Sequence, residues 1–263
     1  MFNSPFMMDL IIFIFGLAIG SFLNVCIYRI PKGESIISPP SRCPKCKREI
    51  KFYDNIPIIS FILLRGRCRY CGATISWQYP IVEFITGIFA VTLLEFYGIT
   101  LSFFIYFFFI CALIVVSCID LRERIIPDII SLPGIAIGFF ASFFLPSINY
   151  LDSIIGIVAG GGILLLVGAG YQLIMKTEGM GGGDIKLLAM MGAFLGWKAV
   201  IFILLVSSFL GAIIGSILAL IKREGRKYEI PYGPFLSIAA ILYIYFGRAI
   251  IYWYLGLIFH GRI

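Results

Sequence analysis

Apolar residues gather into eight runs, at about 7–28, 80–97, 101–119, 129–146, 151–175, 185–196, 199–221 and 233–259. A helix crosses the hydrocarbon core of a bilayer with roughly 20 apolar residues, and most of the runs approach that length. The sixth is shorter and is closed by Gly196. The last is long and interrupted at Gly247 and Arg248, which leaves both one span and a hairpin open. Polar positions concentrate between the first two runs, from Arg29 to Tyr79. This pattern predicts an all-α polytopic integral membrane protein with about eight transmembrane helices. The expected parts are a first transmembrane helix over 1–28, a polar insert over 29–79 and a transmembrane domain over 80–263.

Composition agrees with the pattern. The chain is 60% hydrophobic and 13% charged, against about 25% charged in ordinary soluble domains, and its mean hydropathy is +1.02. The first run lacks the basic leading region and small-residue cleavage site of a secretory signal, so it reads as a retained membrane helix. A net charge of +7 can suggest nucleic acid, but the placement of the basic residues points to topology instead. Ten lie in the insert, and Arg122, Arg124, Lys176, Lys186, Lys222, Arg223, Arg226 and Lys227 fill alternate loops. Only Lys198, Arg248 and Arg262 fall elsewhere, and the opposite loops near 97–100 and 146–151 carry none. The positive-inside rule then places the insert and the basic loops in the cytosol and the N-terminus outside.

Within the insert, Cys43-x2-Cys46 is followed after 21 residues by Cys68-x2-Cys71. Two such knuckles bring four thiolates to a tetrahedral ion, usually zinc, in a small ribbon-like unit. A stretch of about 50 residues with a thin core gains from such a staple. Four protein ligands leave no open position for water, so the role expected of the metal is structural. Redox-active or free thiol pairs are the alternative. Cys26, Cys111 and Cys118 sit in apolar runs and read as core residues.

The single histidine, His260, lies near the C-terminus in an aromatic context, which argues against Ser–His–Asp and Cys–His catalysis and against an H-E-x-x-H metalloprotease, and it reads as an interfacial residue. Carboxylates in apolar surroundings are costly and often functional. Asp120 ends the third run and Asp184 opens the sixth after Gly181, Gly182 and Gly183, and the topology puts both at the cytosolic face. Two close carboxylates share a proton, because both cannot ionise cheaply. One then activates water while the other polarises a peptide carbonyl. The glycines would let backbone approach closely and move on closure. Spacing alone also admits transport, metal binding and plain capping: Asp184 as a helix cap, Asp120 paired with Arg122 or Arg124. Lys186 reads as a tuner of Asp184, a substrate contact or a snorkelling lysine. Asp128 reads as the cap of the fourth helix or a support for the pair. Glu83, inside the second run, demands a partner for its charge.

Five segments taken in order resemble the prepilin peptidases, also called type IV leader peptidases, over nearly the whole chain. They are GSFLNVCIYRIP from Gly20, the stretch Ser41–Glu83, IDLRERIIPD from Ile119, GMGGGDIKLLAMMGAFLGW from Gly179 and PYGPFLSIAA from Pro231. The resemblance implies a G-x-G-D aspartyl protease with Asp120 and Asp184 as its catalytic pair. It implies cytosolic cleavage, after a glycine, of the basic leader of type IV prepilins or type II secretion pseudopilins, in the bacterial inner membrane. Members with the cysteine insert commonly also methylate the new N-terminal residue from S-adenosylmethionine. The resemblance associates Gly20, Ser21, Asn24 and Glu83 with that step. No G-x-G-x-x-G dinucleotide pattern supports the methyl donor independently. The partners expected are the prepilin or pseudopilin substrate and, for the basic insert, anionic membrane lipid. Nucleic acid is not among them. A peptidase without methyltransferase activity, a proton-coupled transporter using the two aspartates, and a secretion-machine scaffold are the competing readings.

Overall fold

A computed structural model describes residues 5–176, 181–222 and 231–260. The readings made above for Gly179, Arg223, Arg226, Lys227, Arg262 and the side chain of His260 fall outside what is described. Among the described residues the protein is helical, and extended pairing is confined to two isolated bridges, Arg42 with Glu49 and Arg67 with Thr74. The chain divides into two compact units, Met1–Val115 and Val116–Ile263.

In the first unit, α1 (Pro5–Arg29) packs antiparallel to α3 (Gln78–Tyr97), and the short α2 (Ile59–Leu63) lies within the insert between them. Glycines set how closely α1 and α3 approach. A Cβ on Gly16 would stand 2.7 Å from Gly87 Cα, and one on Gly20 would stand 2.6 Å from Glu83 Cα. In lipid, where water offers no force to drive helices together, such close backbone contact supplies the packing. α4 (Leu101–Glu123) begins in this unit and ends in the next, where it delivers Asp120.

The second unit is built around α7 (Gly182–Leu195), whose residues Leu187–Leu195 are all buried. It is clasped by α5 (Asp128–Ala141) and α6 (Tyr150–Met175). Gly134 of α5 lies against Met190, and Gly138 against Ala193 and Phe194. Gly156 of α6 meets the backbone of Gly192, and Gly160 that of Leu188. The Ser153 hydroxyl donates to Ala193 O at 2.8 Å, a buried polar tie between α6 and α7. An Asn149–Asp152 capping box starts α6. The unit is completed by α8 (Trp197–Lys222) and α9 (Gly233–His260).

These eight longer helices match the eight apolar runs. Among the described residues, five are long and apolar enough to cross a membrane by themselves. With 14 residues each, α5 and α7 rise only about 21 Å. The interruption at Gly247 makes no hairpin, since α9 continues through it.

Candidate active site and metal centre

Four helix ends converge in the second unit. Asp120, in the last turn of α4, is 5% exposed. Its Oδ2 accepts the backbone N–H of Gly233, the first residue of α9, at 2.9 Å. A carboxylate at a helix N-terminus is favoured by the free N–H groups and dipole there. Its carboxylate is therefore tied to the start of α9. Gly233 is required: a Cβ would lie 2.7 Å from the same oxygen. The start of α9 is tied in turn by Tyr232, whose hydroxyl lies 2.6 Å from Ser207 Oγ on α8.

Asp184 stands in the first turn of α7, half-buried, and the charge of Asp120 acts on it. The capping role considered for it belongs to Gly181, with no side-chain bond. None of Gly181, Gly182 and Gly183 takes a positive φ. The reason for glycine differs along the motif. Gly183 is crowded, since a Cβ would stand 2.8 Å from Ile126 Cβ, whereas Gly182 faces open space. Asp128 does not cap α5, because its N-cap is Pro127 with no side-chain bond. Its two carboxylate oxygens instead accept from Lys186 Nζ at 2.8 and 2.7 Å, joining the starts of α5 and α7. Both partners are exposed, so the pair orients more than it stabilises.

In the first unit the four insert cysteines meet, with every Sγ within 4.8 Å of the others. Cys43 and Cys71 are 3.8 Å apart. A tetrahedral ion with Zn–S bonds of about 2.3 Å requires an S···S edge of about 3.8 Å, so the donor set fits zinc. All seven cysteines are free thiols. The knuckles repeat one design: Lys47 N–H donates to Cys43 O and Gly72 N–H to Cys68 O, both at 2.9 Å. The fourth residue after the leading cysteine is left-handed in each, Lys47 at φ 61 and Gly72 at φ 67. Backbone N–H groups of Cys71 and Tyr70 draw the Cys68 thiol down to about 7. Cys71 is pushed up to about 11: its backbone bond with Ala73 opposes the rise, but burial and the neighbouring thiols outweigh it. Beside the cluster, Arg69 grips Asp54 through two nitrogens at 2.6–3.1 Å and holds that carboxyl below its ordinary value.

Gly20, Ser21, Asn24 and Glu83 also come together, on the α1–α3 seam. Buried Glu83 accepts Ile58 N–H at 2.8 Å, and Ser21 reaches the same carboxylate. Asn24, 2% exposed, donates its amide to Gly20 O and Tyr79 O at 3.2 and 3.1 Å, while its Oδ1 has no partner. Reversing the amide would set an oxygen against two carbonyls, so the orphan acceptor is real. Ile58 has φ 59, an outlying conformation for a β-branched residue. A crevice of about 280 Å³ opens alongside, lined by Ser21, Arg29, Asn55 and the 36–41 loop. The Ile58 and Gly233 N–H groups are backbone donors, which carry no side-chain signature in the sequence.

Residues 14–97 match the bacterial peptidase A24 N-terminal domain family, and residues 107–216 match the type IV leader peptidase family. A prepilin leader peptidase/N-methyltransferase of Aeromonas hydrophila is 35% identical over 279 residues, covering 95% of this chain and 95% of that protein. Proteins of the same name in Legionella pneumophila and Pseudomonas aeruginosa are 36% and 32% identical, over 97% and 96% of this chain and 96% and 95% of their own lengths. No solved structure matches.

Proposed function

The chain belongs to the type IV leader peptidase family, and from that premise we propose a membrane aspartyl endopeptidase that removes the leader of prepilins or pseudopilins and N-methylates the residue exposed. The observation that carries the peptidase reading is the pair itself. Asp120 is buried and fixed by the N-terminus of α9, and Asp184 stands in the first turn of α7, whose residues Leu187–Leu195 are buried. One carboxylate takes a proton from water, which attacks the scissile carbonyl carbon. The protonated partner donates a hydrogen bond to the carbonyl oxygen. Collapse of the tetrahedral adduct breaks the C–N bond, and the departing amine takes a proton from the pair. Lys186, held by Asp128, keeps the start of α7 in register with α5.

Cys43, Cys46, Cys68 and Cys71 hold a structural zinc ion in this reading. S-adenosylmethionine, when bound, supplies an electrophilic methyl group. The orphan Asn24 Oδ1, and a crevice that shares Ser21 with the seam, support a ligand site in this region. Glu83 has the character to accept the proton an N-terminal ammonium must lose before its nitrogen can be methylated, with Ser21 and Asn24 orienting the amine. Gly20 keeps α1 against the backbone of Glu83. The charge pattern supports a cytosolic position at the inner membrane for the insert and both aspartates.

The test incubates detergent-solubilised full-length protein with a prepilin and S-adenosylmethionine and weighs the products. The expected product lacks the leader and carries one added methyl group, and Glu83→Gln keeps cleavage but loses the methyl group. Cleavage without any methyl gain by the wild type reduces the protein to a leader peptidase. Proton flux across sealed vesicles with no cleavage would turn the reading to a transporter.

A further inference from the structure

The insert does not stand clear of the helices that carry it. Ile58, at the start of α2, bonds to Glu83, which lies five residues into α3, about 7–8 Å along its axis. Phe61 of α2 packs on Trp77, the N-cap of α3, with ring centroids 4.9 Å apart. The other apolar side chains of α2 turn outward: Ile59 and Ile62 are exposed and Leu63 is 76% exposed, while Trp77 is 70% exposed. A second loop descends beside α1. The crevice is walled by Ala18, Phe22 and Val25 of α1 on one side and by Ile36, Ile37 and Pro39 on the other. Ala18 lies eleven residues, about 16 Å, from the end of α1. Arg29 pins this loop through Ser35 O and Pro39 O, both at 2.7 Å, and Ile37 is left 89% exposed.

An outward tryptophan at the head of an apolar span marks the membrane–water interface. Two loops packed against the same ends of α1 and α3 therefore lie at interfacial depth. Their exposed side chains are apolar, and the residues that follow α2 include exposed Arg65 and Arg67. Apolar residues beside basic ones are the chemistry of a surface on an anionic leaflet.

We infer that the loops 36–40 and 56–64 bind the bilayer itself, with Ile37, Ile59, Ile62 and Leu63 in the acyl–headgroup boundary and Arg65 and Arg67 on the phosphates of anionic phospholipid. The insert is thus a monotopic platform lying on the membrane. Which leaflet it occupies rests on the topology proposed above, but the contact with lipid does not. The basic character of the insert, otherwise at odds with a basic substrate leader, then belongs to lipid recognition.

The experiment replaces Leu63 with a near-isosteric diazirine amino acid in the full-length protein, reconstituted in nanodiscs of phosphatidylglycerol and phosphatidylcholine. After illumination, intact mass identifies what the carbene has captured, and the same label at exposed Glu49 serves as control. Lipid adducts should predominate at 63 and be several-fold rarer at 49. Phosphatidylglycerol should exceed its bulk share at 63 and return to it in Arg65→Gln/Arg67→Gln, with total lipid capture unchanged. Predominant capture at 63 of water, of another part of the chain or of a second copy overturns the proposal. Phosphatidylglycerol at its bulk share in the wild type overturns the headgroup assignment. None of these outcomes depends on cleavage or methylation.

Discussion

The cysteine cluster and the aspartate pair are assembled on opposite principles. The four thiols come from residues 43–71, positioned by local backbone bonds that are nearly the same in each knuckle. The candidate aspartate site draws on residues 120, 184 and 233 from three helices: α9 begins on the Asp120 carboxylate, and Asp184 opens α7, which glycine-lined helices clasp. In the proposed reading the first centre takes a ligand that holds a thin structure together. The second rests on packing at ångström tolerance. Each is broken by a different lever.

The largest effect separating them is removal of metal. Structural zinc in small peptide modules contributes about 10–16 kcal/mol of apparent binding free energy. A strong chelator should therefore leave the 42–75 region open to limited proteolysis while the helices of the second unit stay protected. A strong, specific zinc chelator that fails to change the cleavage pattern would remove the metal from the account. Next comes Gly233→Ala. The added Cβ must displace the Asp120 carboxylate, and misplacement by such a distance costs on the order of 10²-fold in rate. Cleavage rate should fall by that amount, with zinc content unchanged.

The cysteine knuckles were legible because their spacing lies within one short stretch, and the acids because a charge at the edge of an apolar run stands out. The rest was hidden for identifiable reasons. Gly16 and Gly20, Gly134 and Gly138, and Gly156 and Gly160 each recur at four-residue spacing, but inside an apolar run glycine is indistinguishable from filler until a partner helix lies against it. The Lys186–Asp128 pair joins residues 58 apart, so neither sequence neighbourhood announces it. Glycine before Asp184 was expected to provide freedom. The structure requires it at Gly183 for a steric reason, crowding against Ile126, and leaves Gly182 open.

Smaller predictions compare the knuckles with each other. Gly72 and Lys47 occupy equivalent left-handed positions, and nothing lies within 4 Å of the Cβ that Gly72 lacks. Gly72→Ala should therefore cost only backbone strain, about 1–2 kcal/mol of insert stability, read as a lower thermal midpoint of the zinc-loaded protein. The smallest effect concerns Asp54. Arg69 depresses its carboxyl, so the pair contributes fully above the ordinary aspartate value of about 3.9 and loses its contribution as pH falls through the lowered one. Carboxyl NMR should find Asp54 titrating below that value in the wild type and closer to it in Arg69→Gln.

The most direct measurement of the central claim is prepilin cleavage by purified Asp120→Asn, Asp184→Asn and the double variant, with fold and zinc content checked in parallel. Asparagine keeps the size of the side chain and an oxygen to accept the Gly233 N–H, but it cannot ionise. Each single variant should lose at least about 10³-fold in rate, and the double should be little worse than either, because the two groups act as a unit. A folded single variant that cleaves within about tenfold of wild type would contradict a shared-proton aspartyl mechanism.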